Sequence, residues 1–284
     1  IEEALGEPLP PLNTEDHLNP TAVLLELDKL VGMQNVKDQV KNLIDFISIQ
    51  KKRELNGLKT PGAISNHLAL IGNPGTGKTT VARLIARIYF SLGLLPTPRM
   101  LEIDRSGLVG RYVGETAIKT NKVIQDALGG VLFIDEAYSL VNERASGNSD
   151  DFGREAIDTL LKALEDYRDQ LVVIIAGYPQ PIERFLDANP GLRSRFNRYI
   201  SFPDYTPDEL VQIYETLCQH SDYVVAASAH TFLKQSIAHI SKLGLAKDNG
   251  RFIRNFFERS IEAQAFRLAN CGQGSVDSLQ QINS

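Results

Sequence analysis

Apolar positions along the chain form short continuous runs that alternate with helix-spaced patterns. Runs that are apolar at every position are typical of strands buried on both faces, and spacing of three to four residues is typical of helices. The predicted strands are His67–Ile71, Met100–Ile103, Val131–Asp135, Leu171–Ala176 and Tyr199–Phe202. The predicted helices between them are Thr79–Leu92, Thr116–Leu128 and Glu155–Tyr167. This alternation predicts an α/β domain with a mostly parallel sheet covered on both sides.

The pattern changes on either side of this α/β region. Before it, an amphipathic helical pattern runs from Thr21 to Leu30 and resumes beyond Gly32. After Thr206 no strand pattern remains, and three helical segments follow at Pro207–Gln219, Ala229–Leu243 and Arg251–Ala269. We therefore predict an acidic, Pro-rich arm over residues 1–20, an α/β domain over 21–203 and a small helical domain over 204–284.

Composition narrows the class of protein. Of the 284 residues, 43% are hydrophobic and 23% are charged, as in ordinary globular proteins. The formal net charge of −5 argues against a general nucleic-acid binder, which usually carries a basic footprint. The two cysteines are far apart, which favours a reducing compartment such as the cytoplasm. No apolar run approaches the ~20 residues that a membrane span needs.

A glycine-rich turn follows the first predicted strand and opens the next helix. Its sequence GNPGTGKT matches the phosphate-binding pattern GxxxxGK[ST]. The glycines let backbone N–H groups converge on phosphate oxygens, aided by the positive end of the helix. Lys78 is expected to contact the β- and γ-phosphates, and the Thr79 hydroxyl to bind Mg²⁺. The predicted ATP-binding set is Gly72, Asn73, Pro74, Gly75, Thr76, Gly77, Lys78, Thr79 and Thr80.

Two carboxylates follow the apolar run VLFI. Asp135 is expected to hold Mg²⁺ through water, and Glu136 to polarise the attacking water as a general base. Consecutive acids at a strand end are often solvated turn residues, so this prediction depends on their combination with the P-loop. The sequence predicts an ATPase that uses ATP and Mg²⁺.

Both motifs resemble those of the AAA+ ATPases. The segment GGVLFIDEAY is most similar to the branch that contains red-type Rubisco activases, stage V sporulation protein K and the ATPases of type VII secretion. The resemblance extends from about Leu30 to Leu268. It implies a parallel-sheet P-loop domain followed by a helical lid, in a homo-oligomeric ring, as a rule a hexamer, that acts on a protein client.

The resemblance also implies roles for three arginines and a tyrosine. Arg193 and Arg195, in the segment LRSRF, are candidates for the arginine that reaches the γ-phosphate of a neighbouring subunit, with Arg195 favoured. Arg251 resembles the sensor arginine through which the lid detects the γ-phosphate. Many relatives end the fourth strand on a polar sensor; this chain has Gly177 and Tyr178 there, and Tyr178 is the candidate for that role.

A second set of residues resembles the loop that lines the pore of AAA+ protein remodellers. The segment GRYVG follows the second strand and contains Tyr112, Val113 and Gly114. A tyrosine offers a large apolar face to any extended polypeptide, and flanking glycines let the loop move. These residues are expected to grip a client, with a second, polar pore loop over Asn142–Asp151.

Other polar residues indicate no competing site. The five histidines lack metal-ligand spacing and are expected to be core or surface residues, and Glu165 is expected to be a solvated charge. The leading hypothesis is a remodelling ATPase acting on the Rubisco large subunit, in the cytoplasm or the plastid stroma. The alternatives are a secretion or sporulation client, a nucleic-acid motor, and a scaffold that ATP merely orders.

Overall fold

The computed structural model describes residues 19–59, 65–112, 114–141, 149–271 and 279–282. Its centre is a five-stranded, fully parallel sheet with the strand order β2-β3-β4-β1-β5. The strands are β1 (Leu68–Gly72), β2 (Met100–Ile103), β3 (Val131–Ile134), β4 (Val172–Gly177) and β5 (Arg198–Phe202). The predicted parallel α/β sheet is confirmed, and each strand begins within one residue of its predicted start.

Helices cover both faces of this sheet and follow it in the chain. Those of the α/β part are α1 (Pro20–Lys29), α2 (Gln34–Leu55), α3 (Lys78–Ser91), α4 (Arg105–Leu108), α5 (Glu115–Ala127), α6 (Ser149–Asp166), α7 (Pro179–Asp187) and α8 (Pro190–Arg195), with a 3₁₀ turn at Ala137–Leu140. The short helices α4, α7 and α8 were not predicted, because fewer than three turns show little periodicity. Both α7 and α8 begin at a proline, whose fixed φ suits the first helical position.

Alternate residues of the central strands β1, β3 and β4 enter two separate hydrophobic cores. In β3, Val131 and Phe133 pack with α1, α2 and α3, whereas Leu132 and Ile134 pack with α5, α6 and α7. The first core is reinforced by an ion pair in which the Arg87 guanidinium of α3 holds both carboxylate oxygens of Glu26 in α1. Burial on both faces explains why these three central strands lack polar side chains.

A small helical domain follows β5 and forms a third core. It contains α9 (Pro207–His220), α10 (Ala227–Lys242) and α11 (Gly250–Cys271), which pack around Leu210, Tyr214 and Ile253. Thr206 and Glu209 form a reciprocal capping box at the start of α9. The domain is helical as predicted, with one addition: β6 (Val224–Val225) pairs in parallel with β7 (Gln281–Ile282). Two-residue strands carry too little pattern to be found in a sequence.

None of the described helices is sufficiently long and apolar to cross a membrane.

Candidate functional site

A cleft lies at the carboxyl edge of the sheet, where β1, β3 and β4 end. Because parallel strands end at one edge, residues far apart in the chain meet there. The cleft, including its part open to solvent, has a volume of about 360 Å³. Its lining is Gly72, Pro74, Gly75, Lys78, Thr79, Asp135, Glu136, Gly177, Tyr178 and Arg251. The structure thus brings together the predicted P-loop, both predicted carboxylates, the sensor candidate of β4 and the arginine of the helical domain.

The P-loop is shaped by left-handed glycines and by its lysine. Gly75 and Gly77 have φ angles of 66° and 86°, which residues with a Cβ rarely adopt. Helix α3 begins at Lys78, so the N–H groups of its first turn lie beside the cleft. Lys78 Nζ donates to the carbonyl oxygens of Gly72 at 3.0 Å and Asn73 at 2.7 Å. These contacts place the ammonium group across the loop, where a bound phosphate would meet its charge.

The two carboxylates after β3 have different environments. Asp135 is half-buried, and its Oδ1 accepts the N–H of Glu136 at 2.9 Å. Glu136 is exposed and has a φ of 48°, a strained conformation that is characteristic of functional sites. Burial, followed by the negative charge of the nearby Glu136 carboxylate, raises the pKa of Tyr138. Tyr138 is therefore a neighbour of the candidate general base that the sequence motifs did not indicate.

The oxygen donors of this cleft suit a magnesium ion. The buried Thr79 and the Asp135 carboxylate line the same cleft, and hard oxygen ligands are those that Mg²⁺ prefers. Across the described ranges of the chain, no group of three or more His, Cys, Asp or Glu side chains could hold a metal ion alone. A nucleotide-bound Mg²⁺ needs only one or two protein ligands, since phosphates and water supply the others.

A second, larger cleft of about 700 Å³ adjoins the P-loop and was not predicted from the sequence. Gly77, Thr80 and Arg251 line it, as do apolar residues of two separate segments. Those residues are Leu30, Val31 and Met33 between α1 and α2, with Tyr205, Ile213 and Leu217 of the helical domain. An apolar cleft beside a phosphate loop suits the base of a nucleotide.

One buried lysine holds the wall of this second cleft in place. Lys37 Nζ donates to the carbonyl oxygens of Asp28 at 3.1 Å and Leu30 at 2.6 Å, where α1 ends. Burial lowers the pKa of Lys37, and the nearby Asp28 carboxylate opposes that shift. The ammonium group thus satisfies carbonyl groups that a helix end leaves unpaired.

Sequence models of two families match the two parts of the chain. The model described as "ATPase family associated with various cellular activities (AAA)" matches residues 68–204, and an AAA lid domain matches residues 206–284. Stage V sporulation protein K of Bacillus subtilis is 42% identical over 261 residues, which cover 91% of this chain and 80% of that protein. The chain belongs to the AAA family of ATPases. It is an enzyme that hydrolyses ATP.

Another AAA relative is longer than this chain. The ESX-3 secretion system protein EccA3 of Mycobacterium tuberculosis is 44% identical over 278 residues, which are 92% of this chain and 43% of EccA3. The chain therefore spans less than half the length of that relative.

Solved AAA structures share the fold. The FIGL-1 AAA domain in complex with ADP superimposes with a TM-score of 0.60 at 19% identity, covering 90% of this chain and 79% of that one. A RuvB variant of Thermotoga maritima gives a TM-score of 0.57 at 20% identity, covering 86% and 67%. At such identities the likeness concerns the fold alone.

Two arginines predicted for the AAA site lie outside the cleft of their own chain. Arg193 and Arg195 occupy α8, and Arg193 pairs with Asp187 at 2.6 Å. Arg195 Nη2 lies 2.8 Å from Glu165 Oε2. The Glu165 side chain is 63% exposed, as expected for a solvated charge, but its ion pair with Arg195 was not predicted. Glu165 lies in the last turn of α6. Its ion pair with Arg195 becomes visible only in the structure, where α6 packs against α8.

The predicted pore loop is described in part. Tyr112 is 70% exposed, whereas the root of the loop is fixed by α5. Glu115 Oε2 accepts the N–H groups of Arg111 at 3.1 Å and of Tyr112 at 3.2 Å. Gly114 precedes α5 with a φ of 86°. Val113 lies outside the described residues, as do residues 142–148 of the predicted second loop.

Proposed function

We propose that this AAA ATPase forms a ring, as a rule a hexamer, and remodels a protein client of the sporulation or secretion-system type. The similarity to stage V sporulation protein K and EccA3 supports this version over one that acts on the Rubisco large subunit. A cytoplasmic location fits both relatives better than a plastid stroma. RuvB shares only the fold, and the net charge of −5 disfavours a nucleic-acid motor.

The residues of the first cleft divide the work of ATP hydrolysis. The P-loop and Lys78 bind the β- and γ-phosphates, and Glu136 takes a proton from the attacking water. Thr79 and Asp135 would hold Mg²⁺, which neutralises charge on the phosphates. Arg251 faces this cleft from the lid, and a γ-phosphate there would draw the lid toward the P-loop. Tyr178 lines the same wall as the candidate sensor.

The position of α8 supports a ring. Its arginines lie outside the cleft of their own chain, where each pairs with a surface carboxylate that a phosphate of a neighbouring copy could replace. An arginine offered in this way stabilises charge on the transferring phosphoryl group. Hydrolysis would then require the interface between two copies, which is the physical basis for expecting a homo-oligomer.

The proposal that the ring grips a protein client depends on one observation, the exposure of Tyr112. Its loop follows β2, and β2 is the neighbour of β3, which bears the two carboxylates. The N–H of Asp135 donates to the carbonyl of Ile103, the last residue of β2, at 2.9 Å. A structural change at the nucleotide can therefore be transmitted through β3 and β2 to the Tyr112 loop, as a mechanical remodeller requires.

A hydrolysis-deficient trap tests the proposal. Glu136→Gln should bind ATP but hydrolyse it slowly, so a client held by the ring should copurify from a lysate of the source cells when ATP is present. Tyr112→Ala in the same background should lose that client. Ile118→Ala is the matched control, because Ile118 is 73% exposed on the adjacent α5 but lies outside the loop.

The outcomes separate the alternatives. A protein retained by the trap and by Ile118→Ala, but lost with Tyr112→Ala, supports remodelling, and its identity names the client. Recovery of the Rubisco large subunit would restore the activase version. Equal recovery with Tyr112→Ala would refute gripping by this loop, and recovery of nucleic acid alone would favour the motor.

A further inference from the structure

Asn249 lies at the junction of the lid and the P-loop. It is 1% exposed and has a φ of 51°, in the left-handed region that few non-glycine residues occupy. It directly precedes Gly250, where α11 begins, and Arg251 is the second residue of that helix. A buried amide at this position must find hydrogen-bond partners, because burying it unpaired is costly.

The side chain of Asn249 contacts three separate segments. Its Nδ2 donates to Pro74 O of the P-loop at 3.3 Å, to Asp204 Oδ1 at 2.8 Å and to Lys247 O at 2.9 Å. Its Oδ1 accepts the N–H of Tyr205 at 2.9 Å. Tyr205 stands between the residues matched by the AAA and lid families, so this amide joins the P-loop to the hinge of the lid.

Two neighbouring contacts reinforce this junction. Asn73 Nδ2 donates to both carboxylate oxygens of Asp204, at 2.8 and 3.0 Å, so Asp204 accepts from the P-loop and from Asn249. The N–H of Gly250 donates to Gly75 O at 3.0 Å. A Cβ at Gly75 would lie 2.2 Å from the carbonyl oxygen of Asp248, so the two backbones are in direct contact.

We propose that Asn249, together with Asp204, is a positioning residue that couples the P-loop to Arg251. The proposal rests on the role proposed for Arg251 and is independent of the client. A nucleotide that changes the P-loop backbone moves the carbonyl groups of Pro74 and Gly75. Those carbonyls hold the first residues of α11, so Arg251 is placed for a γ-phosphate only while the contacts persist.

The test is nucleotide binding by the purified full chain, with Mg²⁺ and the fluorescent probes mant-ADP and mant-AMP-PNP. Asn249→Asp keeps the size and the tolerance of a left-handed backbone, but removes the donor and faces Asp204 with a like charge. We expect it to weaken mant-AMP-PNP binding about tenfold and mant-ADP binding less than about threefold, because only the γ-phosphate needs Arg251.

A charge-preserving exchange separates position from charge. In Asn249→Asp combined with Asp204→Asn, the amide at 204 donates to the carboxylate at 249, and the net charge equals that of the original chain. The exchange restores the link from Asn73 through position 204 to position 249 but not the donation to Pro74 O, so it should recover about half of the lost affinity on a logarithmic scale. Asn255→Asp makes the same chemical change at an exposed position of α11 and should leave both affinities within about twofold.

A double-mutant cycle tests the route through Arg251. Arg251→Ala should match the loss caused by Asn249→Asp, and the double variant should bind no more weakly than either single variant. The proposal would be overturned if the affinity losses of the two single variants multiplied in the double variant. It would also be overturned if the exchange recovered no affinity, or if Asn255→Asp lost as much affinity as Asn249→Asp. Lys78→Ala should abolish mant-ADP binding; retained binding would refute the nucleotide site itself and the proposal with it.

Gly250→Ala provides a second test that can be used if the Asn249→Asp variant does not fold. Gly250→Ala leaves Asn249 in place, but its Cβ would lie 2.8 Å from Gly75 O and must push α11 from the P-loop. We expect the same selective loss of mant-AMP-PNP over mant-ADP. An unchanged ratio of the two affinities in that variant would also overturn the proposal.

Discussion

His67 is expected to make the folded state sensitive to mild acid. The residue is 4% exposed, and its Nδ1 accepts the N–H of Val173 at 3.0 Å at the start of the central strands. Burial, with a smaller contribution from the Arg195 guanidinium, lowers the pKa of His67 from 6.5 to about 4. A proton on Nδ1 would remove the acceptor and place a cation in a core beside the ring of Phe196.

The sign and size of the effect follow from proton linkage. Between pH 6.5 and about 4 the unfolded chain binds a proton that the folded chain does not. The stabilisation is therefore complete above pH 6.5 and is lost progressively as the pH falls toward the folded pKa. With these two values, the free energy of unfolding should fall by about 2 kcal/mol between pH 7 and pH 5 through this residue.

Urea denaturation followed by circular dichroism at pH 7 and pH 5 measures this loss. In His67→Asn the side-chain oxygen keeps an acceptor for the Val173 N–H but does not titrate, so its acid-induced loss should be smaller than that of the original chain by about 2 kcal/mol. His239→Asn, at an exposed position of α10, should behave as the original chain does. An equal loss in His67→Asn and the original chain would refute the reasoning.

Three further predictions concern catalysis and stability. Glu136→Gln should lower kcat about 100-fold in a phosphate-release assay while mant-ATP still binds, and unimpaired turnover would remove Glu136 as the general base. Arg195→Ala should lower kcat about 1,000-fold at nearly unchanged nucleotide affinity, and a larger loss in Arg193→Ala would reverse their order. Glu26→Ala breaks the part-buried ion pair with α3 and leaves the buried Arg87 guanidinium without this partner, so it should lower the free energy of unfolding in urea by about 2 kcal/mol. Glu102→Ala breaks an exposed ion pair on the same helix and should cost less than about 1 kcal/mol, so similar losses would contradict the burial argument.

The sequence by itself determined the features that depend on residues close together in the chain. The P-loop from Gly72 to Thr79 is contiguous, and its glycines and lysine define its chemistry without reference to any other segment. The apolar strands and long helices were also predictable, because burial of a face repeats at fixed intervals. Asp135 and Glu136 followed from their place directly after a fully buried strand.

Only the tertiary structure decided which distant polar groups meet. Asn249 bonds to Asp204, 45 residues away, and to Pro74, 175 residues away, and Arg195 pairs with Glu165 across 30 residues. The apolar cleft beside the P-loop likewise combines the α1–α2 connection with the lid. The periodicity of a sequence shows which positions face a core, but it does not show which residue of another segment packs against them. Buried polar groups acquire their partners only when the folded chain path brings donor and acceptor within about 3 Å.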